Sequence, residues 1–185
     1  MNIYGKKVVL RAIEMEDCAL IKDMFNDPEI ENLVGGWTFP LSLFAQKKWQ
    51  EAHYNDRDSV RFIIDTEEDG AIGVMTMTAI DWKNRSAELG VKIASKQTRS
   101  KGYGTDALMA IMRYAFDELG FHRLEASRLA TNQVSGRLLA KCGFVEEGMK
   151  RDYIYKGGKY TDLVIASILA DEYRQLISTN QYWND

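Results

Sequence analysis

Two hydrophobic periods divide the chain. Residues 8–13 carry Val8, Val9, Leu10 and Ile13 in a short apolar run and predict a strand. From Glu14 the period changes, and Cys18, Ile21, Met24 and Phe25 fall on one helical stripe. Asp27-Pro28 ends it, because the residue before a proline avoids helical dihedrals. Ser42 is a good cap for a second helix, with Ala45, Trp49 and Ala52 inward and His53 near its end. Residues 60–64 and 71–80 predict strands joined by the acidic segment 65–70, read as a solvated hairpin turn. Residues 86–93 predict another strand. Residues 106–119 place Leu108, Ile111, Met112, Ala115 and Leu119 on one helical face, with Gly120 as the stop and the methionines as core fillers. Further on come a strand at 123–129, a short helix from Asn132 to Gly143, and strand pieces at 144–146 and 153–155 around Gly148. A turn at 156–159, a strand at 161–169, a helix at 171–177 and a frayed tail at 181–185 complete the pattern. This order predicts an α/β domain built on a single mixed sheet with helices on both faces.

Length and composition narrow the classes. The 185 residues suit one domain, 1–185, with a sizeable core, and 45% hydrophobic content argues against disorder. The formal charge of −3 argues against general nucleic-acid affinity. Cys18 and Cys142 have no metal-ligand spacing and read as buried thiols of a reducing compartment. No apolar run reaches membrane-spanning length, so a soluble, cytoplasmic protein without membrane partners is expected.

The segment between the strand at 86–93 and the helix at 106–119 carries the chemistry. It reads Arg99-Ser100-Lys101-Gly102-Tyr103-Gly104-Thr105, and no acidic residue lies between Val91 and Thr105. A helix start offers unpaired N–H groups and a partial positive charge, and glycines let a ligand approach the backbone. Lys92, Lys96, Arg99 and Lys101 add cations, so the segment predicts a polyphosphate site. A Walker A loop is excluded because Gly104-Thr105-Asp106 lacks the lysine. The G-x-G-x-x-A spacing of residues 102–107, with Glu125 about twenty residues on, imitates a dinucleotide fingerprint. That motif wants a tight turn directly off the strand, whereas polar residues separate Ile93 from Gly102.

Arg99-Ser100-Lys101-Gly102-Tyr103-Gly104 also fits R/Q-x-x-G-x-G/A and resembles the acyl-CoA pyrophosphate loop of the GNAT N-acetyltransferase superfamily. Asn132-Gln133-Val134-Ser135, followed by Lys141-Cys142-Gly143-Phe144, resembles that family's second motif. Leu10-Arg11, Ala87-Glu88-Leu89-Gly90 and residues 157–162 resemble the branch holding Rim-type ribosomal-protein N-terminal acetyltransferases and spermidine acetyltransferases. The resemblance implies a mostly antiparallel sheet opened into a V between the strands ending at Ile93 and near Leu129. The pantetheine arm of acetyl-CoA would pair there with the first strand's backbone. It also implies CoA binding by Val91, Ile93, Arg99, Ser100, Lys101, Gly102, Tyr103, Gly104, Thr105, Asn132 and Ser135.

Amide formation from a thioester needs a base for the amine, a donor for the carbonyl oxygen and a stabilised leaving thiolate. Glu88, inside an apolar strand, is the expected base or the binder of the acceptor cation; the plain alternative is an outward carboxylate. A backbone N–H between Val91 and Ile93 is the oxygen donor that the resemblance implies. Ser135 is expected to donate to the sulfur, although Asn132 and Ser135 also read as an ordinary helix start. Many family members place a tyrosine seven residues after the motif asparagine; Leu139 stands there, which leaves solvent, Tyr153 or Tyr155 as proton source. Trp37 and Phe39, in the loop 34–40, read either as a hydrophobic lid or as an acceptor-pocket wall shared with Glu88 and Tyr153. The expected activity is direct acetyl transfer from acetyl-CoA to a primary amine, a peptide α-amine first and spermidine or an amino sugar second. A non-catalytic acyl-CoA-binding module is the alternative of another class, and a homodimer is left open.

Overall fold

The computed structural model describes residues 1–36 and 39–184; Trp37 lies outside the described residues. Eight strands form one sheet in the order β1-β2-β3-β4-β5-β6-β8-β7. They are β1 (Ile3–Tyr4), β2 (Val9–Arg11), β3 (Val60–Thr66), β4 (Gly70–Asp81), β5 (Ser86–Ile93), β6 (Arg123–Leu129), β7 (Val145–Lys156) and β8 (Lys159–Leu169). Every pairing is antiparallel except β5 with β6. The helices are α1 (Cys18–Asn26), α2 (Pro28–Glu31), α3 (Leu43–His53), α4 (Tyr103–Arg113), α5 (Gln133–Lys141) and α6 (Ala170–Asn180).

Strand alternation sends Ala87 and Leu89 of β5 to one face, against Leu108, Ile111 and Met112 of α4 in the main core. Ile63 and Val74 face the other way, onto Ile21, Met24 and Ile30 of the first two helices. Helices on both faces of a mixed sheet follow, as the pattern of periods predicts.

Several elements depart from the sequence reading. Short β1 and α2 lack the length to show a period; Asp27 ends α1 and then caps α2, accepting from the Glu29 N–H at 2.8 Å. The first helical stripe starts with a 3-10 turn, Met15–Asp17, before α1. Strand β7 runs unbroken through Gly148, with irregular register absorbing the interruption. Of the three residues expected inward on α3, Trp49 lines a cavity, whereas Ala45 and Ala52 are exposed and Gln46 is the buried residue. The acidic turn at 65–70 is not merely solvated, because it folds onto the glycine loop.

Within the described residues, 181–184 of the tail are tied down rather than frayed. Tyr182 donates to Asp106 at 2.6 Å and the Trp183 indole donates to Tyr173 at 2.9 Å. Asp106, in the first turn of α4, also accepts the backbone N–H groups of Lys6, Lys7 and Val8 at 2.9, 2.6 and 2.9 Å. One buried carboxylate thus ties both chain ends to the start of the helix that begins the glycine site. Asp106→Ala would strand those donors, each worth about 1–3 kcal/mol when left unsatisfied. The expected loss is about 3 kcal/mol or more in urea unfolding, against about 1 kcal/mol for Tyr182→Phe. A loss below about 1 kcal/mol for Asp106→Ala would show that the clamp is dispensable.

Candidate functional site

The parallel ladder between β5 and β6 is short. It pairs Ser86 with Arg123, Ala87 with Leu124 and Glu88 with Glu125, and then stops. Beyond it β5 stays on β4 as far as Ile93, while β6 stays on β8 as far as Leu129. The two strands therefore part into a V, with Glu88 at its apex.

The edge of β5 facing the V is open. Ala94 donates to the Ile72 carbonyl at 2.8 Å, on the β4 side. Antiparallel alternation puts Lys92 and Gly90 on the same side and aims the amides of Val91 and Ile93 into the V. The Ile93 carbonyl points that way too, accepting from Arg99 Nη2 at 3.4 Å.

The glycine loop closes the wide end. Gly102 adopts φ 88°, which favours glycine, and is the N-cap of α4. It supplies no side-chain cap, so the first N–H groups of α4 remain available to an anion. A Cβ at Gly104 would meet Leu138 Cδ2 at 3.6 Å, an ordinary contact, so that glycine faces α5.

The cations are distributed differently from the sequence reading. Lys101 pairs with Asp69 at 2.8 Å and Glu68 at 3.4 Å. The Tyr103 hydroxyl lies 3.1 Å from Glu68 and 3.0 Å from Asp69. The hydrogen bond from Lys101 lowers the Asp69 pKa, and burial, then both acids, raise that of Tyr103. Lys96 pairs with Glu29 of α2 at 2.6 Å. Lys92 projects from the opposite face of the sheet. Arg99 stays at the loop, joined by Lys7, whose amine donates to the Lys101 carbonyl at 3.1 Å. Lys7 gave no sequence signal, since it comes from the distant N-terminal turn.

Glu88 accepts a hydrogen bond from the Ser127 hydroxyl at 2.6 Å across the apex. Ser127 was missed because only the β5–β6 register brings it there. Neighbouring Glu125 is held by Arg123 at 2.8 Å.

Asn132 caps α5, accepting the Ser135 N–H at 3.0 Å, and donates to the Leu33 carbonyl at 2.9 Å. It therefore joins the start of α5 to the loop before Trp37. The half-buried Ser135 hydroxyl has no hydrogen-bond partner among the described residues. Phe39 is 64% exposed and Tyr153 is 55% exposed, the latter with Lys150 over its ring at 4.7 Å. Lys156 reaches from the β7–β8 hairpin to the Val34 carbonyl at 2.5 Å and pairs with Glu31 at 2.8 Å. The hairpin and the loop after α2 thus meet over the V. His53 stacks on Trp49 at 4.3 Å, a packing role.

A cavity of about 180 Å³ opens on the α1–α3 face, lined by Gln46, Trp49, Arg61, Thr76, Thr78 and Lys92 among others. Burial lowers the pKa of both Arg61 and Lys92; the charge of Arg61 lowers that of Lys92 further. Among the described residues there is no cluster of metal-binding side chains and no helix long and apolar enough to cross a membrane.

Comparison with known proteins fits this geometry. Residues 7–145 match the family model described as an acetyltransferase (GNAT) domain. The uncharacterized N-acetyltransferase p20 of Bacillus licheniformis is 30% identical, over 93% of this chain and 98% of its own. The ribosomal protein uS5 alanine N-acetyltransferase of Escherichia coli is 30% identical over 60% of this chain and 57% of its own. A spermidine N-acetyltransferase from Vibrio cholerae, solved with CoA and spermine, superposes with a TM-score of 0.85 at 25% identity, over 92% of this chain and 99% of that one. With the split sheet, the glycine-capped helix start and these relatives together, the chain belongs to the GNAT family and is an N-acetyltransferase.

Proposed function

We propose that the protein transfers acetyl directly from acetyl-CoA to a primary amine, with a peptide or protein α-amine as acceptor. The observation that carries this reading is the opening of β5 from β6 immediately beyond Glu88. Among the described residues it leaves the Val91 and Ile93 amides without a strand partner beside the uncapped start of α4. That set fits acetyl-CoA: N–H groups of α4 with Arg99 and Lys7 for its phosphates, and an open strand edge for its amide-bearing arm.

Acetyl-CoA supplies the acyl thioester. The chain supplies the rest. Glu88, oriented by Ser127, takes a proton from the incoming ammonium so that the neutral amine attacks. A β5 amide donates to the carbonyl oxygen as charge develops on it. Ser135, at the first turn of α5, donates to the sulfur as the C–S bond breaks. No cysteine enters this scheme: Cys18 and Cys142 are buried, and burial pushes the Cys142 thiol up to about 12.

The acceptor preference rests on proton affinity. A peptide α-amine has a pKa of about 8, an alkyl ammonium about 10.4, so neutralising the second at pH 7 costs about 3 kcal/mol more. One carboxylate, with Leu139 in place of the family tyrosine, copes more readily with the α-amine. The second reading, a polyamine acceptor, is favoured by the likeness to the Vibrio enzyme.

Two measurements check this. Thermal unfolding with ligand at a hundredfold over Kd should show about 2.7 kcal/mol of stabilisation by CoA. ATP and NAD at equal concentration should give less, and a larger effect of NAD would overturn the cofactor assignment. In thiol-release assays, alanine- or serine-starting peptides should exceed spermidine in kcat/KM. Glu88→Gln should lower kcat about 100-fold or more, and Ser135→Ala about tenfold with CoA affinity kept. Spermidine turnover with inert peptides would promote the polyamine reading, and an unchanged kcat in Ser135→Ala would move its role elsewhere.

A further inference from the structure

The cavity on the α1–α3 face holds two cations that structure alone does not explain. The register aligns Arg61, Thr76 and Gly90 in one row, with Thr78 beside Glu88 in the next. Gly90 contributes no side chain, and a Cβ there would lie 2.6 Å from Thr76 Oγ1. Between Glu88 and Lys92, on the same face of β5, the floor is therefore bare. The cavity lies beside that space, lined by Thr76 and Thr78 of β4 and by Lys92, with Trp49 and Gln46 of α3 above it.

Arg61 stacks on Trp49, 3.9 Å from the ring centroid, and its buried Nε has no hydrogen-bond partner. Among the described residues it forms no ion pair; Asp56 acts on it only through its charge. Lys92 lies 4.9 Å from the Phe25 ring centroid, likewise with no ion pair among the described residues. Glu31, the acid that acts on it through its charge, is already paired with Lys156 at 2.8 Å. Removing a charge from water without a partner is unfavourable, and two like charges facing one cavity compound it. Buried Gln46 lines the same space, and its side-chain amide forms no hydrogen bond among the described residues. Such a set is complete only with an anion between the cations.

We propose that this cavity is the acceptor's anion subsite, holding a carboxylate of the molecule whose amine is acetylated at Glu88. The inference rests on the acetyl-transfer reading above and narrows its substrate class. Arg61 is level with Gly90, two residues along from Glu88 and two strands across, so about 7 Å along the strands and about 10 Å across them are spanned by the arginine side chain and the acceptor together. The volume of about 180 Å³ suits one small group, being below the ~300–1,000 Å³ of drug-sized ligand pockets. Either an acidic residue near a peptide N-terminus or a small amino acid of matching length meets these demands. A polyamine carries no anion and meets a cationic wall.

Matched acceptors separate the outcomes. In one arm Ala-Glu-Ala-amide is compared with Ala-Gln-Ala-amide, and in the other 4-aminobutyrate with its amide. The acid should be preferred about tenfold or more in kcat/KM in at least one arm, and the preference should fall to about unity in Arg61→Gln and Lys92→Met. Lys92→Met keeps the test if Arg61→Gln, which gives up the stack on Trp49, does not fold. Parity of acid and amide in both arms, or a preference surviving both substitutions, overturns the proposal. Calorimetric binding of N-acetyl-4-aminobutyrate and its amide to the CoA-loaded protein tests the anion site without turnover. The acid should bind about tenfold tighter or more in the wild type only. Equal binding refutes the anion site itself. A binding preference with no turnover of any amine instead refutes the acetyl-acceptor reading on which the proposal stands.

Discussion

Three residue pairs of parallel ladder hold the two halves of the sheet together, and the functional architecture depends on where they stop. Up to Glu88 and Glu125 the strands share hydrogen bonds; past that point each keeps only its antiparallel partner. A strand edge inside a sheet is normally paired, since an unpaired buried amide is costly. Here the unpaired edge is retained: the apex holds a carboxylate and a hydroxyl, and the open amides of Val91 and Ile93 follow along β5. The α4 start lies at the wide end of the same opening. A ligand with phosphates at one end and an amide-rich arm at the other would satisfy both sets of donors at once.

Electrostatics refine that picture. Acids from elsewhere in the chain take two of the loop's cations, Lys101 through Asp69 and Lys96 through Glu29. These surface pairs contribute little stability. Their effect is positional: they fix the loop's backbone against the β3–β4 turn and α2, so that backbone N–H groups, with Arg99 and Lys7, present the positive potential. Asp106 keeps the same helix start in register with both chain ends. On the other face the arrangement is reversed: among the described residues Arg61 and Lys92 form no ion pair, and Asp56 and Glu31 act on them only through their charge.

Much of this was legible in the sequence. The change of hydrophobic period located β2 to β6, α4 and α6, and the glycine loop with the Asn132–Ser135 motif located the two helix starts beside the V. What stayed hidden depends on long-range register. Ser127 looks like any strand serine until it is set beside Glu88. Lys7 and Lys101 exchange apparent importance once the acidic turn folds over. The inward face of α3 departs from apolar periodicity, which points to Ala45, Trp49 and Ala52, because the helix turns Gln46 along with Trp49 toward a cavity that Arg61 and Lys92 also line. A face built to meet a ligand need not follow the rule for a face built to meet a core. A terminal position predicts fraying, yet the tail's two aromatics find buried partners in Asp106 and Tyr173.

Amide hydrogen exchange at Val91 and Ile93, followed residue by residue with and without CoA, reports on whether the ligand lies in the opening between β5 and β6. Both amides should exchange freely in the apo protein and become strongly protected when CoA is bound, while Lys92, already paired to β4, changes little. Unchanged exchange at Val91 and Ile93 under saturating CoA would contradict it, because the ligand would then not occupy the opening between β5 and β6.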